Sequence, residues 1–156
     1  MKEDSPTFNL HDACEADLPF LRELRRITMM EAVTRQHPWV DEEQDRRVTA
    51  HLASAKIITV DGCVAGMVKV LRNRSRIRLS QIQLLPEYQG RGIGTAIIRE
   101  LQEECRQRGI PLRLNVLEKN NAVRLYQSLG FTVTGRKTLA LKMEWRAADP
   151  PPGESD

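Results

Sequence analysis

The chain of 156 residues carries 24 basic and 21 acidic side chains, a formal net charge of +3, and is 40% apolar. That length suits one domain with a real core and hardly two; the charge is too mild to argue for a nucleic-acid partner, and no apolar run approaches the roughly twenty residues of a membrane-spanning helix. Three cysteines without paired spacing, Cys14, Cys63 and Cys105, fit a reducing compartment better than a disulfide framework or a structural zinc site, and the polar first residues lack a hydrophobic targeting core, so the expectation is a soluble cytoplasmic protein without a metal.

Residues 1–6 read as a loose polar lead. "TFNLHDA" suits a short strand, and Leu18, Leu21 and Leu24 then recur at helical spacing. Pro38 interrupts this pattern. A second helix is predicted from Asp41, whose first turn is crowded with acid. Two β-rich runs flank Asp61-Gly62, a strong hairpin signal. "RIRLSQIQLL" is a third consecutive strand whose alternation fails, and the adjoining Leu84-Leu85 suggests a bulge there. The clearest helix follows, with Ile93, Ala96, Ile97, Leu101 and Cys105 on one stripe, Arg106 and Arg108 at its negative end, and Gly109 and Pro111 to stop it. "LRLNVL" reads as a buried strand, "NNAVRLYQSLGF" as a short helix, and the segments from Phe131 and Thr138 as a final strand pair. The tail from 146 to 156 is polar, proline-rich and expected to be disordered. One α/β domain over 7–145 is predicted, with element order β-α-α-β-β-β-α-β-α-β-β. Its strand–helix–strand unit around 84–112 implies a parallel pair within a mixed sheet.

The segment "LLPEYQGRGIGTAIIRE" alternates Gly90, Gly92 and Gly94 at a helix start, where glycine weakens the local structure. Glycines at a strand-to-helix turn let backbone approach a ligand closely, and unpaired N–H groups of the first helical turn point outward at the positive end of the helix dipole. The composition from Gln89 to Thr95, with Arg91 adding charge, therefore reads as a phosphate site. No Gly-Lys-Ser/Thr occurs, and counting G-x-G-x-x-G from Gly90 ends on Thr95, so neither a Walker loop nor a dinucleotide fingerprint fits.

"QGRGIG" matches the Q/R-x-x-G-x-G/A signature of the GNAT superfamily of N-acetyltransferases. "LLPEYQGRGIGTAII" and "NVLEKNNAVRLYQSLGFTVTG" resemble that family's two most characteristic segments, and "DACEADLPFL" resembles its first strand and helix entry. The resemblance implies acetyl-CoA as donor and an amine, on a small molecule or a protein, as acceptor. It implies a strongly bent mixed sheet with splayed fourth and fifth strands, here about 76–85 and 112–117. The pantetheine arm would bond backbone near Leu84 and Leu85. The pyrophosphate would rest on amides of Gln89, Gly90, Arg91, Gly92, Ile93, Gly94 and Thr95. Asn120 resembles an asparagine that contacts the cofactor, with Lys119 or Asn121 as alternatives for that place.

Tyr126 resembles the family's tyrosine that serves the leaving thiolate, and a phenol keeps its proton at neutral pH. Where many members carry a strand glutamate, this chain has Gln81 and Asn115, and an amide is not basic. Ordered water or another carboxylate such as Glu118 is left to take the proton. "RQHPWVDEEQD" offers His37, Trp39, Asp41 and Glu42 for an acceptor pocket formed by residues 28–45 and the last hairpin. Carboxylates there would steer a cationic amine, and Trp39 would pack against it. Arg72, Arg74, Arg76 and Arg78 read as a solvated turn, without the interleaved aromatics of a nucleic-acid surface. The strand carboxylates' absence also admits a non-catalytic acyl-CoA sensor on the same fold. The exposed last hairpin offers an edge for a homodimer.

Overall fold

Among the described residues seven strands form one mixed sheet in the order β1-β2-β3-β4-β5-β7-β6. They are β1 (Asn9–Asp12), β2 (Ala55–Val60), β3 (Cys63–Arg72), β4 (Ile77–Leu84), β5 (Leu112–Leu117), β6 (Thr132–Lys137) and β7 (Ala140–Trp145). Four helices complete the predicted order: α1 (Leu18–Thr34), α2 (Asp41–Thr49), α3 (Ile93–Arg108) and α4 (Ala122–Ser128). The computed structural model describes residues 6–148, so of the tails expected at 1–6 and 146–156 only residues 6 and 146–148 are described, and they belong to no helix or strand. Among the described residues no helix is long and apolar enough to cross a membrane.

Helices cover both faces of the sheet. Leu21 and Leu24 of α1 and Val48 of α2 pack on Ala55, Ile57 and Met67. Ile93, Ile97, Ile98, Leu101 and Cys105 of α3 pack on the opposite face, with Ile58, Val68, Leu79, Leu112 and Leu114. The period-two alternation of β2 and β3 therefore feeds two separate apolar clusters, one per face. Gly109, at φ +68°, ends α3 in the left-handed conformation that glycine accepts freely.

The strand irregularity sits earlier than Leu84-Leu85. Lys69 pairs with Gln81 and Val70 with Leu79, which leaves Ser80 unmatched on β4. Ser80 is thus a bulge residue, and it shifts the side-chain phase by one. Ile77 and Leu79 before it, and Ile82 and Leu84 after it, consequently pack against the same cluster. Pairing with β3 continues through Leu84, and the Leu85 amide donates to the Ala65 carbonyl at 2.8 Å.

The parallel ladder between β4 and β5 is short. β4 and β5 pair only at Ile77–Leu112, Arg78–Arg113 and Leu79–Leu114. Beyond Leu79 the strands part, while β5 stays paired to β7 along its whole length. The bulge and the parting fall at the same place. A bulge bends its strand and increases local twist, which turns the second half of β4 away from β5.

Lys69 sits on the face under α1 and α2 and is 1% exposed. Its Nζ donates to the carbonyls of Arg47 at 3.0 Å, Val48 at 3.2 Å and Ala50, the last residues of α2 and its cap. These carbonyls have no partner within the helix, and a cation is favoured at that end. Desolvation, then the charge of Arg25, pull this ammonium down to about 8.

Candidate functional site

The parting of β4 and β5 opens a cavity of about 550 Å³. Its floor comes from Arg78, Ser80, Gln81 and Gln83 of β4 and from Asn115 and Val116 of β5. α1 and α2 contribute Arg25, Met29, Gln44 and Arg47, and the β6–β7 turn contributes Lys137 to Leu139. The segment joining α1 to α2 is fastened over it. Gln36 Nε2 donates to the Leu139 carbonyl at 3.0 Å, Gln36 Oε1 accepts from the Lys119 amide at 3.0 Å, and Arg35 Nη1 donates to the Lys119 carbonyl at 2.9 Å.

Tyr126 of α4 lines this cavity and is 8% exposed, with its ring edge-on to Phe131 at 5.7 Å between centroids. Burial penalises the phenolate and pushes the hydroxyl up to about 12. Among the described residues no group hydrogen-bonds this hydroxyl, so it faces the cavity as a protonated donor.

At the C-terminal end of β4 the glycine turn leaves a row of peptide amides unbonded. Gly90 and Gly92 adopt φ +77° and +87°, and Gly92 caps α3. A Cβ on Gly90 would meet nothing within 4 Å; the left-handed backbone, not crowding, is what calls for glycine. Ala96 is the first amide bonded back into the turn, to the Gly92 carbonyl at 2.9 Å. The amides of residues 90–95 before it lack a backbone partner among the described residues. Arg91 is held beside them with its guanidinium 5.2 Å from the Tyr88 ring centroid. Gln89 Nε2 donates to the Leu84 carbonyl at 2.8 Å and ties the turn to β4. Because peptide groups alternate in direction along a strand, Leu84 presents its amide and carbonyl to the open β5 side, whereas the Leu85 amide is engaged with β3.

Of the other expected site residues, His37, Gln81, Asn115 and Asn120 line the cavity with Tyr126. His37 Nε2 lies 3.0 Å from Glu43 Oε1, and this hydrogen bond holds the Glu43 carboxyl below its usual range. Gln81 Nε2 donates to the Arg47 carbonyl at 2.8 Å, so it ties β4 to α2. Asn120 Oδ1 accepts from the Ala122 amide at 2.8 Å at the start of α4. Asn115, with its amide turned so that both ends are satisfied, accepts from Arg78 Nη2 at 3.1 Å and donates to the Leu114 carbonyl at 3.1 Å.

Trp39 and Asp41 are not brought together with these residues. They bond to each other, Trp39 Nε1 to Asp41 Oδ1 at 3.0 Å, and line a neighbouring groove with Glu42, Arg22 and Arg46 that shares Arg25 and Gln44 with the cavity wall. The acidic first turn of α2 faces α1 there, where Asp45 pairs with Arg22. Glu118 pairs with Arg136 at 2.6 Å and is absent from the cavity wall. The arginine run also divides: Arg72 pairs with Glu104 of α3 at 2.9 Å, while Arg78 faces the cavity rather than a solvated turn. Arg25, Glu43, Gln44 and Arg47 carried no sequence signal beyond helical spacing. Among the described residues no cluster of three or more His, Cys, Asp or Glu side chains is placed to hold a metal ion.

A family model described as an acetyltransferase (GNAT) domain matches residues 29–144. The fold is similar to that of the PaiA N-acetyltransferase from Thermoplasma acidophilum in complex with coenzyme A. That match has 18% identity, covers 90% of this chain and 99% of the other, and has a TM-score of 0.69. It is also similar to the ribosomal-protein-S18-alanine N-acetyltransferase from Escherichia coli, with 21% identity, coverage of 94% and 98%, and a TM-score of 0.64. Arabidopsis thaliana Naa50 in complex with the bisubstrate analogue CoA-Ac-MVNAL matches at 16% identity, coverage of 90% and 99%, and a TM-score of 0.60. At these identities the likeness is one of fold.

The buried phenol can be tested without any ligand. In parallel absorbance titrations of the wild type and Tyr126→Phe, the difference attributable to Tyr126 is expected to stay absent through about pH 10, where an ordinary tyrosine is half ionised. A full phenolate step there would show the hydroxyl to be open to solvent.

Proposed function

The chain belongs to the GNAT acetyltransferase family, and from that premise we propose that it transfers an acetyl group from acetyl-CoA to a primary amine by direct attack with both substrates bound. The observation that carries this reading is the continuity of three features along one strand. Free amides at 90–95 stand at one end of β4, its unpaired edge runs along the opening, and Tyr126 lies within the cavity beside it.

The residues present fit the donor. The amides of residues 90–95, at the positive end of α3 and next to Arg91, would hold its diphosphate. Leu84 would hold the pantetheine arm through the amide it turns toward β5, its carbonyl being bonded to Gln89. Acetyl-CoA, when bound, supplies the acetyl group as an activated thioester. Tyr126 keeps its proton at Oη throughout the neutral range and would give it to the departing sulfur.

An amine must lose a proton to attack, since its ordinary pKa is about 10.4. Gln81 and Asn115 cannot accept one, and their amides are engaged with backbone and with Arg78. His37 is the imidazole on the cavity wall. With Nε2 donating to Glu43, its Nδ1 is left to accept the proton, directly or through a water. The absence of a strand carboxylate favours a second reading, an acyl-CoA sensor without turnover. Tight acetyl-CoA binding with no thiol release on any primary amine, including acidic ones, would select it.

Three substitutions separate the parts. Gly92→Glu is expected to weaken acetyl-CoA binding by more than about tenfold in calorimetry, because it adds charge and bulk at a left-handed position against phosphate; unimpaired binding would remove the phosphate cradle. Tyr126→Phe is expected to lower kcat by roughly a hundredfold with acetyl-CoA affinity within about threefold of the wild type. Unchanged turnover would remove the acid role. His37→Gln is expected to lower kcat/KM by about a hundredfold at pH 7, and a change below about threefold would leave proton removal to water alone.

A further inference from the structure

The wall of the acceptor cavity is strongly one-sided in charge. It contains four permanent cations, Arg25, Arg47, Arg78 and Lys137, and one carboxylate, Glu43, which is already bonded to His37. Elsewhere Arg22, Arg72, Arg113, Arg136 and Lys56 each meet a carboxylate, and cations such as Arg74, Arg99 and Arg124 that meet none are exposed to solvent. None of the four cavity cations has a carboxylate within 4.0 Å among the described residues.

Arg25 is the most constrained of them. It is 5% exposed, and its Nε donates to Gln44 Oε1 at 2.7 Å. Its two terminal nitrogens have no hydrogen-bond partner among the described residues, and Arg25 lines both this cavity and the neighbouring α1–α2 groove. Desolvation, then the charge of Arg47, pull this guanidinium down to about 10. A buried cation beside a like charge is costly unless something negative completes it. Arg78 is aimed from β4 into the same space, with one Nη bonded to the Asn115 amide oxygen. The diphosphate cradle does not account for these groups. It sits at the start of α3, which packs on the opposite face of the sheet from α1 and α2.

The geometry points to an acceptor that carries an oxyanion, carboxylate or phosphate, close to its amine, received by Arg25, Arg47 and Arg78. This inference rests on the acetyl-transfer reading above and narrows it to a substrate class: small amino acids or amino phosphates rather than polyamines or neutral amines. Guanidinium groups suit it because their planar forks bind carboxylate and phosphate in pairs of hydrogen bonds. A free oxyanion next to the amine is also something that the amino-terminal residue of a neutral peptide lacks.

The test is a thiol-release assay with acetyl-CoA over three series of equal chain length: ω-amino acids from glycine to 5-aminopentanoate, the corresponding alkylamines, and the corresponding diamines. Aminoalkylphosphonates form a fourth arm that separates phosphate from carboxylate. At one chain length or more, an acidic amine is expected to exceed its neutral match in kcat/KM by roughly tenfold or more. Arg78→Met, and independently Arg47→Met at an exposed helical position, should bring that ratio toward one. Calorimetry of the preferred acidic amine into the CoA-loaded protein should show binding that Arg78→Met abolishes. Alkylamines or diamines used as well as the acids at every length would overturn the anion inference and leave acetyl transfer standing. Failure to bind acetyl-CoA together with no turnover of any amine would overturn both.

Discussion

The separation of β4 from β5 after Leu79 and Leu114 is the constraint on which the rest of this architecture depends. A parallel ladder of three residue pairs is just enough to hold the two halves of the sheet together. Past it, each strand keeps only its outer partner, β3 for β4 and β7 for β5. Backbone groups in the opening must be satisfied by a ligand or by water, because buried unpaired peptide groups are costly. The split therefore creates both the cavity and a row of donors and acceptors along one of its edges. Ser80 is the local cause: one extra residue redirects β4 and brings Ile82 and Leu84 back onto the core face.

The same half of the sheet concentrates positive charge in a desolvated layer. Lys69 is committed to the C-terminal carbonyls of α2 and fixes that helix over the strands. Gln81 adds a second tie to the Arg47 carbonyl, and Arg25 reaches across to Gln44. The first two ties join α2 to the sheet and the third joins α1 to α2, each through a polar side chain rather than through apolar packing alone. Such ties position the helices specifically, since a half-satisfied buried polar group penalises any other arrangement. The cost is desolvation, and after it the repulsion of a neighbouring guanidinium, which depress both Lys69 and Arg25. This layer is held together by helix-end carbonyls and amides rather than by counter-charges.

Local signals accounted for most of the element order. Asp61-Gly62 marked its hairpin, the stripe from Ile93 to Cys105 marked α3, and the alternating glycines marked the turn that caps it. What remained illegible was set by tertiary pairing. The failed alternation in β4 was visible, but its cause was assigned to Leu84-Leu85, because a bulge is defined against the partner strand and not within its own. Arg78 reads as part of a basic turn when the run from Arg72 is taken as one segment, yet strand geometry turns it into the cavity. Trp39 and Asp41 adjoin His37 in sequence, but the start of α2 at Asp41 rotates them toward the α1–α2 groove while His37 stays with the cavity. Gln36 and Arg35 gave no motif at all, since their partners lie more than eighty residues away.

The charge of the cavity bears on the step for which the strands supply no base. An ammonium brought among Arg25, Arg47 and Arg78 is destabilised relative to the neutral amine, because neighbouring like charges and desolvation both disfavour the charged form. A substrate oxyanion held by those arginines offsets that repulsion in binding, yet leaves its ammonium in positive surroundings. Under the proposed reading the arginines therefore have two effects on one molecule: they anchor its acidic end and lower the proton affinity of its amine. Less of the deprotonation then falls on His37 or on water. A strand glutamate in place of Gln81 or Asn115 would sit beside those same guanidinium groups and neutralise them. Under that reading the amides at these positions and the unpaired arginines belong together, the electrostatic field taking the place of a dedicated carboxylate.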